Sequence, residues 1–177
     1  SFKPVPLPGG NKAMLEPWRN AYAQLRDERT WQEIAELYPD LAVVQFLNRQ
    51  PLGILEQMMT KRMNSPLSSS AGRLFDAFAA TLNICHQSIS YEGQAAIALE
   101  HLIPENKTDE RYPYNITVAG DHWVIDWGPM IRKILLDKNN YNMTGWSEIF
   151  LYSAARAQLV AERIIPLLNK GQFIIAD

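Results

Sequence analysis

Two short segments carry the side chains best suited to bind a ligand in this chain. They span residues 68–76 and 88–96, and in each a serine-containing loop leads into an apolar run with helical spacing. A serine in this position is typical of the residue that caps a helix start. The first amides of a helix lack internal partners and carry the positive end of the helix dipole, so they attract phosphates and other anions. The sequence therefore predicts two helix starts that can bind an anion.

The side chains near these two helix starts suit a nucleotide as the ligand. The carboxylates of Asp76 and Glu92 can accept hydrogen bonds from two ribose hydroxyls, and Arg73 can neutralise a phosphate. Glycine next to each start allows a ligand to approach the backbone. The candidate nucleotide-binding residues are Ser70, Gly72, Arg73, Asp76, Glu92 and Gly93.

The same residues also have a purely structural interpretation. A serine before a helix usually only caps it, and an acidic residue in a first turn usually only complements the dipole. Gly72 and Gly93 can equally be positions where helices pack closely. Spacing alone favours this structural interpretation, so the nucleotide hypothesis depends on further information.

Other reactive residue types give no pattern of a catalytic or metal site. Cys85 is the single cysteine, and His86, His101 and His122 are the three histidines. None of the histidines has another ligand at metal-binding spacing. The sequence predicts no metal ligand and identifies no catalytic residue in this chain.

Composition restricts the class of protein. With 177 residues, 47% hydrophobic and 20% charged, the chain has the size and balance of one globular domain. The formal charge of −2 is spread along the chain, which leaves no basic face for nucleic acid. No apolar run reaches the ~20 residues that cross a bilayer, so we expect no membrane partner. A single cysteine fits a reducing, cytoplasmic setting.

Hydrophobic periodicity predicts a mainly α-helical unit with one small β-hairpin. Apolar residues at three- and four-residue steps predict a first helix that is capped by Asn11 and carries Met14, Leu15, Trp18, Tyr22 and Leu25 on one face. Thr30 and Glu33 have the spacing of a capping box. Residues 116–118 and 123–125 flank a glycine-containing turn, as in a hairpin. Further predicted elements are a helix capped by one of the serines in the turn over 64–73 and running through Asn83, helices over 91–102, 131–136 and 146–168, and a strand over 172–176.

Three blocks of sequence, in a fixed order, resemble a known enzyme family. They are Pro6-Leu7-Pro8-Gly9-Gly10 with Glu16-Pro17-Trp18-Arg19, then residues 65–77 (SPLSSSAGRLFDA), then residues 89–96 (ISYEGQAA). These blocks resemble the carbamoyltransfer domain of HypF-type carbamoyltransferases, which is related to the threonylcarbamoyl transferase TsaD within the actin and hexokinase superfamily. The similarity is clear over roughly residues 3–100.

The resemblance implies a specific reaction for the parent protein. Enzymes of this family make carbamoyl-adenylate from carbamoyl phosphate and ATP. They then transfer the carbamoyl group to the C-terminal cysteine of HypE during nickel-iron hydrogenase maturation. By this resemblance Asp76, Glu92 and Gly93 would hold the sugar of the nucleotide, with Gly72 and Arg73 as weaker candidates.

The resemblance also implies that this chain is incomplete. The family's histidine-rich metal motif and its Gly-Gly-x-x-x-Asn segment do not occur in the sequence, and the chain opens at Ser1 without a methionine. We therefore expect residues 1–177 to be a single partial domain, the central helical part of an actin/hexokinase-like α/β fold. The metal ion of the parent enzyme would have its ligands outside this chain, and the isolated chain would be inactive.

Two alternatives to this hypothesis remain. The chain can be a non-catalytic helical protein-interaction module from a diverged relative, in which case the two helix starts are ordinary caps. It can also be a piece of a threonylcarbamoyl transferase, whose partners are proteins of transfer-RNA modification.

Overall fold

The computed structural model describes residues 1–102 and 113–135. The predicted fold class, mainly α with a small hairpin, is confirmed. The predicted helix over 146–168 and strand over 172–176 lie outside the described residues. In chain order the elements are β1 (Val5–Pro6), α1 (Asn11–Leu15), α2 (Pro17–Glu28), α3 (Trp31–Leu37), α4 (Ala42–Leu47), α5 (Leu52–Thr60), β2 (Leu67–Ser68), α6 (Ala71–Thr81), α7 (Gln94–Glu100), β3 (Asn115–Ala119), β4 (His122–Asp126) and α8 (Gly128–Leu135).

The core forms where α2 packs against α6. Both helices carry apolar residues at helical spacing, and these bury their side chains together with residues of α3, α4, α5 and α7. Helix α7 packs on α6 and α8 packs on α2. The core residues of the two central helices are Trp18, Tyr22, Leu25, Leu74, Phe78 and Ala79.

Pro17 divides the first predicted helix in two. Helix α1 ends at Leu15 and α2 begins at Pro17, because proline lacks the N–H that a continuous helix needs but fits the first position of a new one. Gly10, and not Asn11, occupies the cap position of α1. The prediction that Met14 and Leu15 share the buried face was therefore wrong, and both side chains are exposed.

Helices α6 and α7 begin and end where backbone conformation requires it. Helix α6 starts directly after Ser70, the last of the serines predicted as caps, and stops at Thr81, just before Asn83 adopts a left-handed φ of 62°. Helix α7 starts at Gln94, three residues later than predicted, because Gly93 has a φ of 80° that no α-helix contains. Glu92 therefore lies in the turn before α7 and not in its first turn.

Two small sheets bring distant parts of the chain together. The predicted hairpin is confirmed, with Val118 opposite Trp123 in the β3–β4 register. Its β4 strand also pairs in parallel with the start of the chain through a bridge between Phe2 and Ile125. The β1–β2 pair was not predicted because each strand has only two residues. It holds the loop that enters α6 against the N-terminal segment.

Local polar interactions determine where the smaller helices lie. The capping box of α3 is confirmed: the amide of Thr30 donates to Glu33 Oε2 at 2.9 Å, and the amide of Glu33 donates to Thr30 Oγ1 at 3.3 Å. Helix α5 is held to α2 by Arg26, which donates from Nε and Nη2 to the two carboxylate oxygens of Glu56 at 3.0 and 2.8 Å.

Helix α8 begins at Gly128, three residues earlier than predicted. Within the described ranges no helix is both long and apolar enough to span a bilayer.

Leu55 and Ile54 provide a matched test of how α5 is anchored. Leu55 is 1% exposed and is the buried residue of α5, whereas its neighbour Ile54 is 61% exposed. We expect Leu55→Ala to lower the free energy of unfolding by about 2–4 kcal/mol, because it removes a packed side chain and leaves a cavity. Ile54→Ala should change it by less than about 0.5 kcal/mol. Urea denaturation of both variants measures the difference, and equal effects would contradict this packing of α5.

Candidate nucleotide-binding site

Asp76 and Arg73 form a buried ion pair on one face of α6. They lie three residues apart in the helix, and Arg73 Nε is 3.1 Å from Asp76 Oδ2. Asp76 is 1% exposed and Arg73 is 9% exposed. Among the described residues Asp76 Oδ2 accepts no hydrogen bond of good geometry beside this ion pair, and Arg73 Nη1 has no hydrogen-bond partner. Buried polar groups are nearly always hydrogen-bonded in native proteins, so this pair has unused capacity for a ligand or water.

Burial and nearby charges together shift the pKa of Asp76. Burial raises the pKa of Asp76 to about 6; the charge of Arg73 lowers it, and the nearby carboxylate of Glu92 raises it. Removal from water destabilises the charged form of a carboxyl group, whereas a neighbouring cation stabilises that charged form. Asp76 therefore titrates just below neutral pH and is mostly ionised at pH 7.

Glu92 and Cys85 complete the surroundings of Asp76. Glu92 is exposed, in the turn that enters α7, and its charge acts on Asp76. The backbone amide of Ser90 donates to Gln94 Oε1 at 2.7 Å, which braces this turn. Burial and the charge of Asp76 raise the pKa of the Cys85 thiol, so Cys85 is not activated as a nucleophile. The structure thus places the predicted residues Arg73 and Asp76 in contact, and the charge of Glu92 acts on Asp76.

Ser70 and Gly72 lie at the start of α6, one turn before Asp76. Ser70 occupies the cap position, but its side chain accepts no capping hydrogen bond from the helix. Its backbone amide donates to Ser68 Oγ at 3.2 Å. Among the described residues, a Cβ added to Gly72 would meet Ser70 Oγ at an ordinary contact distance of 3.5 Å and no other atom within 4 Å. In this part of the molecule, neither close packing nor backbone conformation therefore requires glycine at position 72.

Gly93 is different because its backbone requires glycine. It caps α7 with a φ of 80° and a ψ of −3°, in the left-handed region. A Cβ built there has no atom within 4 Å among the described residues, so packing is not the reason. The left-handed conformation is costly for residues with a Cβ and free for glycine. Gly93 therefore sets the direction in which the Glu92 turn joins α7.

A cleft that the sequence did not predict lies beside the start of α6. It encloses about 480 Å³, including open solvent, and Asn20, Arg73 and Trp127 belong to its lining. Asn20 Oδ1 and Trp127 Nε1 are buried without a partner among the described residues. Asn20 sits inside the apolar face of α2, and a polar residue there was the signal that sequence reasoning missed.

The charged residues of this cleft are mainly acidic. Lys3 Nζ lies 2.8 Å from Asp27 Oδ2 and 3.6 Å from Asp126 Oδ1. Glu28 adds a third carboxylate to the lining, so three acidic residues face the two bases Lys3 and Arg73. The cleft therefore offers no excess of positive charge to a phosphate. In the part of the chain that the structure describes, no three His, Cys, Asp or Glu residues are grouped to hold a metal ion.

Comparison with known proteins gives a consistent result. The family model described as the second subdomain of the carbamoyltransferase Kae1-like domain of HypF matches residues 1–164. The carbamoyltransferase HypF of Rhodobacter capsulatus is 48% identical over 102 residues, which cover 57% of this chain and 12% of that protein. The carbamoyltransferase HypF2 of Cupriavidus necator is 43% identical over 102 residues, covering 57% of this chain and 11% of that protein.

The fold is similar to that of solved HypF structures. A crystal structure of full-length HypF in its phosphate- and nucleotide-bound form superposes with a TM-score of 0.75 and 26% identity, covering 97% of this chain and 21% of that one. The chain thus spans about one fifth of that protein, and its alignments cover 12% and 11% of the two HypF relatives above. This match supports the predicted relation to HypF-type carbamoyltransferases.

Gly93 and Gly72 provide a paired test of the site's backbone. Gly93→Ala should lower the free energy of unfolding by about 1–2 kcal/mol, because alanine must adopt a left-handed conformation. Gly72→Ala should leave it unchanged or raise it by up to about 1 kcal/mol, because alanine is the better helix former in an open position. Chemical denaturation distinguishes the two, and a Gly93→Ala variant as stable as Gly72→Ala would contradict the assigned turn.

Proposed function

Because the chain belongs to the HypF carbamoyltransferase family, we propose that it forms one wall of a site for ATP and the carbamoyl-adenylate made from ATP and carbamoyl phosphate. The observation that carries this proposal is the buried carboxylate of Asp76, which pairs with Arg73 and on which the carboxylate of Glu92 also acts. Asp76 lies in the second turn of α6 and Glu92 in the turn before α7, and two carboxylates of neighbouring elements suit the two hydroxyls of one ribose. The nucleotide-bound state of the HypF structural neighbour supports the same type of ligand.

Each residue of the cluster has a defined part in this proposal. Asp76 and Glu92 accept hydrogen bonds from the ribose hydroxyls, and such charge-assisted bonds are the stronger kind. Gly93 allows the sugar to approach the turn, which has no side chain at that position. Ser70 and Gly72 border the site at the start of α6. Binding must open a path to Asp76, because that side chain is covered among the described residues.

The proposed reaction ends with transfer of the carbamoyl group to the C-terminal cysteine of HypE. The cysteine thiolate attacks the carbamoyl carbon, the new C–S bond forms, and the bond from that carbon to the phosphate oxygen breaks to release AMP. This chain contributes nucleotide binding and orientation to that step. In this proposal residues 1–177 are a partial domain of a cytoplasmic enzyme, and the ligands of its metal ion lie in other parts of the protein.

A second candidate function is a helical interaction module without nucleotide binding. The exposed apolar side chains of Met14, Leu15, Tyr91 and Ile97 favour it. The backbone amide of Ile89 donates to the carbonyl of Leu15 at 2.9 Å, which joins the end of α1 to the loop before α7. In a partial domain these side chains also suit contact with the remainder of the protein, so this observation is compatible with both candidates.

Asp76 provides the direct test of the nucleotide site. Asp76→Asn in the full-length protein should weaken ATP binding at least tenfold at pH 8, because it removes a charged acceptor of about 1.5–3 kcal/mol. Calorimetric titration measures the affinity, and a thermal melt verifies that the variant is folded. Asp40→Asn, a change on the exposed surface between α3 and α4, is the matched control. Unchanged ATP affinity in folded Asp76→Asn would remove the site and favour the interaction module.

The isolated chain tests whether the site is incomplete. We expect the pure 177-residue chain to show no ATP turnover that depends on carbamoyl phosphate, whereas the full-length enzyme shows it. A phosphate-release assay on both proteins measures this difference. Clear turnover by the isolated chain would show that the catalytic groups are all present in these residues.

A further inference from the structure

Among the described residues, Arg73 is the cation whose charge acts on Asp76. In the same part of the chain, the charged and titratable groups that interact electrostatically with Asp76 are Arg73 on α6, Glu92 in the turn before α7 and Cys85 in the loop between these helices. Arg73 approaches the carboxylate side-on through Nε, at 3.1 Å. Because both residues are on one helix and both are buried, the pair has little freedom to separate.

The same geometry argues against a direct contact between Arg73 and phosphate. Its Nε group already faces a carboxylate. The cleft that Arg73 lines also has three carboxylates, from Asp27, Glu28 and Asp126, so a phosphate placed there would be repelled. The charge of Arg73 is thus directed toward Asp76.

We propose that Arg73 is a positioning residue that acts through Asp76: its guanidinium orients the carboxylate toward the ribose and keeps it charged, without binding phosphate itself. This inference rests on the proposed nucleotide site. It assigns Arg73 a role different from the phosphate contact that its residue type first suggested.

The role of Arg73 has a consequence for pH dependence. The pKa of Asp76 is about 6, so a ligand that needs its carboxylate binds fully well above pH 6 and is lost as the pH falls through that value. Removal of Arg73 takes away an interaction that lowers this pKa, so the midpoint must move to higher pH. Removal of the Glu92 charge must move it to lower pH, because Glu92 raises the pKa of Asp76.

Adenosine is the appropriate probe for this test. A phosphate group titrates near pH ~6 and would obscure the protein's own transition, whereas adenosine carries none. We expect adenosine affinity of the full-length protein to fall with a midpoint near pH 6. In Arg73→Gln the midpoint should rise by about one pH unit, which is the lower end of the effect of an adjacent guanidinium on a carboxyl pKa. Adenosine binding should then be about fivefold weaker than wild type at pH 6 and nearly equal to wild type above pH 8.

Three variants control this measurement. Arg73→Lys retains the charge and should hold the midpoint near the wild-type value. Glu92→Gln weakens binding but should shift the midpoint in the opposite direction. Arg26→Gln removes an arginine that pairs with Glu56 on α5, and it should leave the midpoint unchanged. A uniform loss of affinity in Arg73→Gln at every pH, with no shift, would indicate a merely structural role and overturn the proposal.

A double variant distinguishes a positioning role of Arg73 from phosphate binding by Arg73. It also allows the proposal to be tested if the single variant Arg73→Gln does not fold. In Asp76→Asn/Arg73→Gln both charges are removed together, which leaves no unpaired buried charge. If Arg73 acts only through Asp76, this variant should bind ATP and adenosine with the same affinities as Asp76→Asn. A further loss that affects ATP but not adenosine would assign Arg73 to the phosphate and refute positioning.

The two proposals fail in different ways. If Asp76→Asn binds adenosine and ATP as the wild type does, the nucleotide site itself is wrong. If Asp76→Asn binds weakly but Arg73→Gln keeps the wild-type midpoint, the site stands and only the role of Arg73 is wrong.

Discussion

The packing of α6 against α2 is the interaction on which both the fold and the candidate site depend. Leu74, Phe78 and Ala79 of α6 share one core with Trp18 and Tyr22 of α2. This packing holds α6 in place, and α6 carries Arg73 and Asp76 among its buried residues. The apolar core thus provides a rigid support for a charged pair, as precise binding requires.

The buried charged pair is hard to explain by stability alone. Removing two charges from water is costly, and a well-packed apolar pair often serves stability as well or better. The unpartnered atoms Asp76 Oδ2 and Arg73 Nη1 increase that cost. A ligand hydroxyl that donates to Asp76 Oδ2 beside the ion pair would offset part of that cost, which is the physical reason to propose a functional role for this pair.

The surface of the chain fits a part of a larger protein. The chain covers 21% of the full-length HypF structure that it resembles. It exposes several large apolar side chains, including Trp123 and Val118, which face each other across the hairpin. Surfaces of this kind often contact other protein segments. Within the described residues the candidate site has the carboxylates of Asp76 and Glu92 but no excess of positive charge in the adjacent cleft.

Local sequence determined much of the architecture. The positions of the capping box, the hairpin and the start of α6 followed from short-range chemistry, because each depends on residues within a few positions of one another. The family resemblance also came from contiguous blocks, and the family match confirms it. Pro17 and Gly93 show the limit of periodicity, since one residue at each place moved a helix boundary.

Tertiary structure alone decided what surrounds each charge. The sequence places Arg73 and Asp76 three residues apart, but it does not show that both are buried or that Glu92 acts on Asp76. Nor does it show that three carboxylates, those of Asp27, Glu28 and Asp126, line the adjacent cleft. These relations join residues far apart in the chain, and they arise only when α2, α6 and the hairpin pack together. Burial and distance govern electrostatic interaction, and both are properties of the packed molecule.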